Sequence, residues 1–454
     1  MGIGRVFVAN RGEIAVRIIR ACRDLKIESV AAVSEADRES LPARLADRVV
    51  CIGPPRAAES YLNVKAIIGA ALGTGCDAIH PGYGFLAEDP ELAEACAQND
   101  IRFIGPRPES IRGMGNKLKA REMVHRFGTP IIPGSMKVGS LSEGSATAAE
   151  IGFPVLLKAA AGGGGRGIKL VSKREELETA FTTAAAEART AFGDETLYME
   201  RYIPNARHIE VQILGDRFGN VIHVGDRDCS LQRRYQKVVE EAPAPNLSDS
   251  LREEIRAAGV TIGREMRYEN AGTVEFLVDQ DASRFYFLEM NTRIQVEHPV
   301  TEMITGIDLV QEQIRIADGQ RLRLSQGDVR FTGHAVECRI TAESPRDGFR
   351  PCPGPILQWR PAEGPGIRVD THCYLGYRVP PYYDSLLAKL IVRGDSRVKT
   401  IGGVQRALEN FVVSGIETTI PFLHLLVCQM DYVRGKVNTR WLEDKLQGGL
   451  FLEA

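Results

Sequence analysis

The chain has 454 residues, 26% of them charged, and a net charge of −2. That length exceeds a single compact core and sets an expectation of roughly three domains. The near-neutral balance argues against a disordered protein, a nucleic-acid binder or a membrane-surface protein, and no apolar run is long enough to span a bilayer.

The first residues enter a strand-like run, Arg5–Ala9, with no signal peptide, so a soluble, cytoplasmic protein is expected. The nine cysteines are scattered and form no CxxC pair. They indicate neither a disulfide framework nor a zinc site, and reduced structural thiols are expected.

Residues 1–113 alternate strands and helices. Arg5–Ala9, Ser29–Val33 and Ala78–His80 read as strands. Between and after them, Glu13–Leu25, Val64–Leu72 and Glu91–Gln98 read as helices, the first with Ile14, Ile18, Ile19 and Cys22 at helical spacing. This predicts a βαβ domain with a mostly parallel sheet. Its first turn, Asn10-Arg-Gly-Glu13, lacks the G-x-G-x-x-G of a dinucleotide fold. The loop His80–Phe85 follows a strand end, where open α/β sheets bind ligands.

After a linker at Gly105–Pro108 comes a helical stretch near Lys117–Phe127, and a small second domain is expected over residues 130–203. There, strand-like Val155–Lys158 is followed by Ala161-Gly-Gly-Gly-Gly-Arg-Gly167 and β-like Ile168–Val171. The glycines therefore join two strands as a hairpin tip. They open no helix, so the loop is neither a Rossmann turn nor a Walker A loop. Such a tip lets backbone N–H groups approach phosphates and close as a lid, with Lys158 beside it to neutralise charge.

The run Arg227–Lys237 is basic and ends in Glu240-Glu241. It suits a solvated face or an anion site better than nucleic acid, given the neutral net charge. His208 and His298 have no metal-ligand spacing and are expected to be structural or to orient anions.

The most informative stretch is Glu289-Met-Asn291-Thr-Arg293-Ile-Gln295-Val-Glu297. Each odd position is polar, so an extended strand would place five ion- or anion-binding groups on one face. Upstream, Thr273–Val278 and Phe285–Glu289 are expected to form a hairpin folded about Ala282, which sets Glu275 opposite Glu289. Like charges directly opposite are destabilising unless a cation sits between them, and Mg²⁺ takes carboxylate, amide and phosphate oxygens.

These strings together resemble the biotin carboxylases, ATP-grasp enzymes that carboxylate carrier-bound biotin. The resemblance runs through Val8–Ala15, His80–Leu86, Met114–Lys117, Lys158 and the glycine loop, Arg227–Pro245, Glu289–Glu302, His334–Arg339 and Pro381–Ser385. It implies an α/β and α+β multidomain fold. Its parts would be a Rossmann-like N-terminal domain (1–113), a helical linker (114–130) and an ATP-grasp lid (131–203). An ATP-grasp core (204–330) and a C-terminal biotin carboxylase domain (331–446) would follow.

Carried over by position, ATP would meet Lys117, Lys158, Gly163, Gly164, Gly165, Ile168, Glu200, Arg201, Ile203, His208, Gln232, Tyr235 and Leu277. Glu275, Glu289 and Asn291 would hold Mg²⁺ or Mn²⁺. Bicarbonate and biotin would meet Lys237, Arg293, Gln295, Val296, Tyr83, Gly84 and Arg339, with Glu297 as base. The resemblance also implies a biotin carboxyl carrier protein and a separate carboxyltransferase as partners, and a homodimer.

The chain differs from the family pattern at Arg201, Asp226, Tyr235 and Ala160-Ala161, positions expected to bear on the nucleotide, and at Pro365, near the expected dimer contact. Two alternatives stay open. One is an ATP-grasp ligase that joins another carboxylate to an amine. The other is a nucleotide-binding scaffold with a dead site, against which the intact polar row argues.

Overall fold

The computed structural model describes residues 2–135, 137–160 and 167–449. The N-terminal sheet contains β1 (Arg5–Val8), β2 (Glu28–Val33), β3 (Arg48–Cys51), β4 (Ala78–His80) and β5 (Arg102–Phe103) in the order β3-β2-β1-β4-β5. All its pairings are parallel, as the alternating pattern predicts. Alternate residues of β1 feed two different cores. Val6 and Val8 pack with Ile14 and Ile18 of the helix Gly12–Asp24, whereas Phe7 packs with Tyr61 and Ile67 on the other side. Apolar on both faces, the strand can only be central in a sheet covered by helices.

A three-stranded sheet follows, built of β6 (Val155–Ala159), β7 (Ile168–Val171) and β8 (Leu197–Arg201) in the order β7-β6-β8. β6 and β7 pair antiparallel, with Lys158 opposite Ile168, so the glycine-rich segment does join two strands of a hairpin. Val155, Leu157 and Ala159 are buried under the helices Leu141–Ile151 and Leu177–Phe192, while Leu156 and Lys158 face away from that core. Period-two alternation thus delivers a lysine to the open face of the sheet.

The largest sheet has eight strands and antiparallel pairing throughout. Its first five neighbours are β13 (Arg284–Asn291), β12 (Asn270–Asp279), β9 (Ala206–Gly215), β10 (Val221–Arg233) and β11 (Gln236–Ala242). β14 (His334–Thr341) and the strands Leu386–Gly394 and Ile367–Thr371 complete it. On one face Ile209, Val211, Ile213, Val274 and Phe276 pack against the helix Asp249–Glu265. That helix comes close because Gly259 and Gly263 line its inner side. A Cβ at either would lie within 2.9 Å of Val211 or Ile213.

The opposite face carries the chemistry. There β9 presents His208, Glu210 and Gln212, and β12 presents Thr273 and Glu275. Arg227 of β10 is fully buried among them and donates to Gln212 Oε1 and Thr301 Oγ1, both at 2.9 Å, and to Thr273 Oγ1 at 3.1 Å, while pairing with Glu210. The basic run is therefore not a solvated face at this end. Truncating Arg227 strands the Glu210 charge in the interior, so Arg227→Ala is expected to cost about 3–5 kcal/mol. Urea unfolding would register that loss as a lower midpoint, and an unchanged midpoint would count against this account.

All nine cysteines are free. Among the described residues no helix is long and apolar enough to cross a membrane.

Candidate active site

The polar face of the large sheet, the three-stranded sheet and the loop after β4 enclose a cleft of about 1660 Å³. Its lining contains Lys117, Lys158, Ile168, Glu200, Arg201, Ile203, His208, Gln232, Tyr235 and Leu277 toward the lid. It also contains Glu275, Glu289, Asn291, Lys237, Arg293, Gln295, Val296, Arg339, Tyr83 and Gly84. Glu297 sits directly behind this surface, fully buried. Gly163, Gly164, Gly165 and Ala161 lie outside the described residues.

Near the lid, the buried carboxylate of Glu200 is clamped between Lys158 and Arg121. Burial would raise its pKa, but the two cations outweigh burial and hold it below the ordinary range. Lys117 Nζ stands 3.4 Å from Glu289. Across the hairpin Glu275 pairs with Glu289, the register expected from folding about Ala282. The register then slips, and Phe276 faces Phe287, so a bulge sits beside the two carboxylates.

Beyond Asn291 the structure departs from the expected strand. β13 ends there, residues 292–297 bend and turn, and a helix starts at His298. The bend is imposed from a distance by Glu88, which accepts from the Thr292 N–H at 2.9 Å and from Arg293 Nε at 2.8 Å. The polar side chains converge nonetheless. Arg293 donates to Asn291 Oδ1 at 3.0 Å and to Gln295 Oε1 at 2.9 Å. Asn291 and Gln295 in turn donate to Glu275 Oε1 at 2.7 and 3.2 Å.

Lys237 stands at the centre, with Nζ donating to Glu210 at 2.6 Å, Glu275 at 2.9 Å and Glu297 at 2.6 Å. Burial alone would strip its proton. The three carboxylates outweigh burial and keep the ammonium charged. The second oxygen of Glu297 accepts from Arg339 Nη2 at 2.9 Å, and Arg339 Nε donates to Glu240 at 2.6 Å. Burial would raise the pKa of Glu297, but Lys237, Arg339 and Arg227 hold it well below the carboxylate range. His208 lies 2.9 Å from Glu275 and 2.9 Å from Gln232, and with Glu210 and Glu275 it forms a buried group whose donor atoms lie within 4.8 Å of one another, a proximity that sequence spacing did not indicate.

On the far wall Tyr83 donates to Glu13, which also pairs with the buried Lys389 at 2.9 Å. Lys389 donates to the Val296 carbonyl at 2.8 Å and fixes that backbone from behind.

Two of the unusual positions resolve differently. Asp226 does not reach the cleft, because it accepts from Arg252 at 2.6 Å, Arg256 Nε at 2.8 Å and the Ala244 N–H at 2.8 Å. The expectation that it bears on the nucleotide is corrected, and its role is to anchor the helix Asp249–Glu265. Tyr235 does line the cleft. It shares a tight β10–β11 turn with Arg234, both left-handed at φ 63° and 49°, and Glu443 accepts the Arg234 N–H at 2.6 Å.

Sequence reasoning passed over Glu88, Glu210 and Glu240. Glu210 had a signal, since His208-Ile-Glu210-Val-Gln212 alternates polar and apolar as the later row does. Glu88 lies just past the quoted loop, and nothing local marks it.

Comparison with known proteins agrees over nearly the whole length. The family model "Biotin carboxylase, N-terminal domain" matches residues 2–111. "Carbamoyl-phosphate synthase L chain, ATP binding domain" matches 116–325, and "Biotin carboxylase C-terminal domain" matches 337–444. Biotin carboxylase 1 of Bacillus subtilis is 51% identical, over 97% of this chain and 98% of the relative. The Campylobacter jejuni biotin carboxylase–βγ-ATP complex superposes with a TM-score of 0.94 at 46% identity, covering 97% of this chain and 99% of that one. The biotin carboxylase domain dimer of the Hydrogenobacter thermophilus 2-oxoglutarate carboxylase, with MgADP and bicarbonate, superposes at 0.93 and 47%, covering 98% of each chain.

Proposed function

This chain belongs to the biotin carboxylase family, and from that premise we propose that it carboxylates carrier-bound biotin with ATP and bicarbonate, releasing ADP and phosphate. The observation that carries the reading is one cleft lined by Lys117, Lys158, Lys237 and Arg339, the last two joined through the buried Glu297 behind its surface.

Lys117, Lys158 and the glycine-rich segment bind the ATP phosphates. Glu200, Arg201, Ile203, His208, Gln232, Tyr235 and Leu277 line the nucleoside end, with residues 131–203 acting as the lid. Glu275, Glu289 and Asn291 offer the oxygen donors that Mg²⁺ or Mn²⁺ accepts together with phosphate, and such an ion neutralises phosphate charge when bound.

Lys237, Arg293, Gln295 and the Val296 backbone hold bicarbonate as an anion, and Glu297 removes its proton. The carbonate oxygen attacks the γ-phosphorus, the bond to ADP breaks, and carboxyphosphate forms. Its breakdown gives CO₂ and phosphate. Phosphate takes the N1 proton of biotin, and N1 attacks CO₂. Arg339, with Arg293, stabilises the charge that develops on the ureido oxygen, a task suited to a planar and permanently charged guanidinium. Tyr83 and Gly84 border the biotin end.

The carrier protein, a separate carboxyltransferase and a second copy of this chain are the partners that fit this reading. ATP turnover by the purified protein should need bicarbonate and rise with free biotin. Turnover that needs an amine and ignores biotin would sink the proposal in favour of another ATP-grasp ligase.

A further inference from the structure

Behind Arg339 lies a pair of acids that the chemistry above does not use. Glu240 of β11 and Glu337 of β14 are register partners on adjacent antiparallel strands, and both are fully buried. Val239 and Cys338, one step along, enter the C-terminal core, so the two glutamates share the opposite face with Arg339 and its cross-strand partner Lys389. Glu240 spends one oxygen on Arg339 Nε, at 2.6 Å. Its other oxygen, and both oxygens of Glu337, are buried with no hydrogen-bond partner.

Two ionised carboxylates facing each other in the interior, three of their four oxygens unpartnered, are not a stable arrangement. The nearby cations are committed elsewhere. Lys389, from the strand Leu386–Gly394, serves Glu13 and Val296, and Lys237 of β11 serves Glu210, Glu275 and Glu297. Arg339 divides its edges between Glu240 and Glu297, the latter on the segment before the helix His298–Thr305. On that helix, Glu302 is taken by Arg17 and Arg368, and His298 Nδ1 donates to the Gln295 carbonyl.

We infer that Glu240 and Glu337 form a two-carboxyl, one-proton unit that positions Arg339 for the biotin step. The inference rests on the functional reading above and deepens it. Glu240 holds the guanidinium by its Nε edge, so Arg339 keeps its aim when Glu297 gains the bicarbonate proton and releases the other edge. Glu337 remains a neutral acid, so that Glu240 bears the only charge behind the arginine. Burial first, and then neighbouring acids, push Glu337 well above the carboxylate range, and Glu240 is raised to about 7. A group raised in this way contributes stability that is full below the ordinary carboxylate range and is lost as pH rises through its folded-state value. Ionising Glu337 would set a second negative charge beside the acid that holds Arg339, so on this inference the alkaline limit of carboxylation is set here.

The experiment uses the full chain. Infrared spectroscopy at neutral pH should show a buried carboxylic-acid carbonyl band that Glu337→Gln removes. That variant cannot ionise at 337, so the alkaline fall of biotin carboxylation should move up by about one pH unit or more. Glu240→Gln should lower biotin carboxylation at least about tenfold more than it lowers bicarbonate-dependent ATP turnover. A band that survives Glu337→Gln, or an unmoved alkaline limb, would overturn the assignment of the proton to Glu337. Equal losses in Glu240→Gln would reduce that residue to fold support. Should Glu337→Gln fail to fold, the wild-type band decides: it must be present at neutral pH and vanish in step with carboxylation. The band is read without substrate, so failure of this inference is distinguishable from failure of the assigned activity.

Discussion

Glu297→Gln is expected to lower bicarbonate-dependent ATP turnover by about 10²–10⁴, the range of a positioned general base. The amide fills the same space and its oxygen can still accept from Lys237, while its NH2 group loses the bond that Arg339 gives the carboxylate, so the fold persists with that one contact missing. What disappears is the proton acceptor. The ATP KM should stay near wild type, because the lysines near the lid are untouched. A comparable rise in KM would mean that Glu297 binds and does not abstract. Stability supplies an independent check. The folded-state pKa of Glu297 is depressed, so its charge contributes stability above the ordinary carboxylate range, lost as pH falls through the depressed value. The stability gap between wild type and Glu297→Gln should be full at neutral pH and narrow only in acid. A gap that widened in acid would contradict the charge assignment.

Arg339→Ala should separate the two half-steps. Removing one donor from a developing oxyanion typically costs about 10²–10³ in rate, and here that loss falls on biotin carboxylation. ATP binding, measured as nucleotide affinity, should remain close to wild type because Arg339 lies at the end of the cleft away from Lys117 and Lys158. Truncation also leaves Glu240 and Glu297 without their shared cation. A lower melting temperature is therefore expected alongside the kinetic defect. Arg339→Lys keeps the charge but cannot serve both acids with one planar group, and it should recover stability more than activity. If ATP affinity and carboxylation fell together in both variants, the arginine would be holding up the fold.

Much of this was legible because it is local. The Glu275–Glu289 pairing followed from hairpin arithmetic, and the lid hairpin followed from two β-like runs flanking glycines. The two-sided burial of β1 was written in Val6-Phe7-Val8. The end of β13 was not legible. Alternation continues to Glu297 in the sequence, yet the chain bends after Asn291 because Glu88, 204 residues away, captures the Thr292 N–H. The β-bulge at Glu275 was likewise invisible, since a one-residue slip depends on pairing and not on composition. The basic run at Arg227 left a solvated face and an anion site both open, and its buried partners on three other elements decide against the first.

The donors assigned to bicarbonate are already engaged within the protein. Lys237 gives its bonds to three glutamates, Arg293 to Glu88, Asn291 and Gln295, and Gln295 to Glu275. The cleft thus carries its own acceptors for these donors, and bicarbonate is expected to compete with them. A modest affinity for this small, well-hydrated ion is therefore expected. The same exchange frees a glutamate from its cation as the ion arrives, so the base gains strength at the moment its substrate is in place.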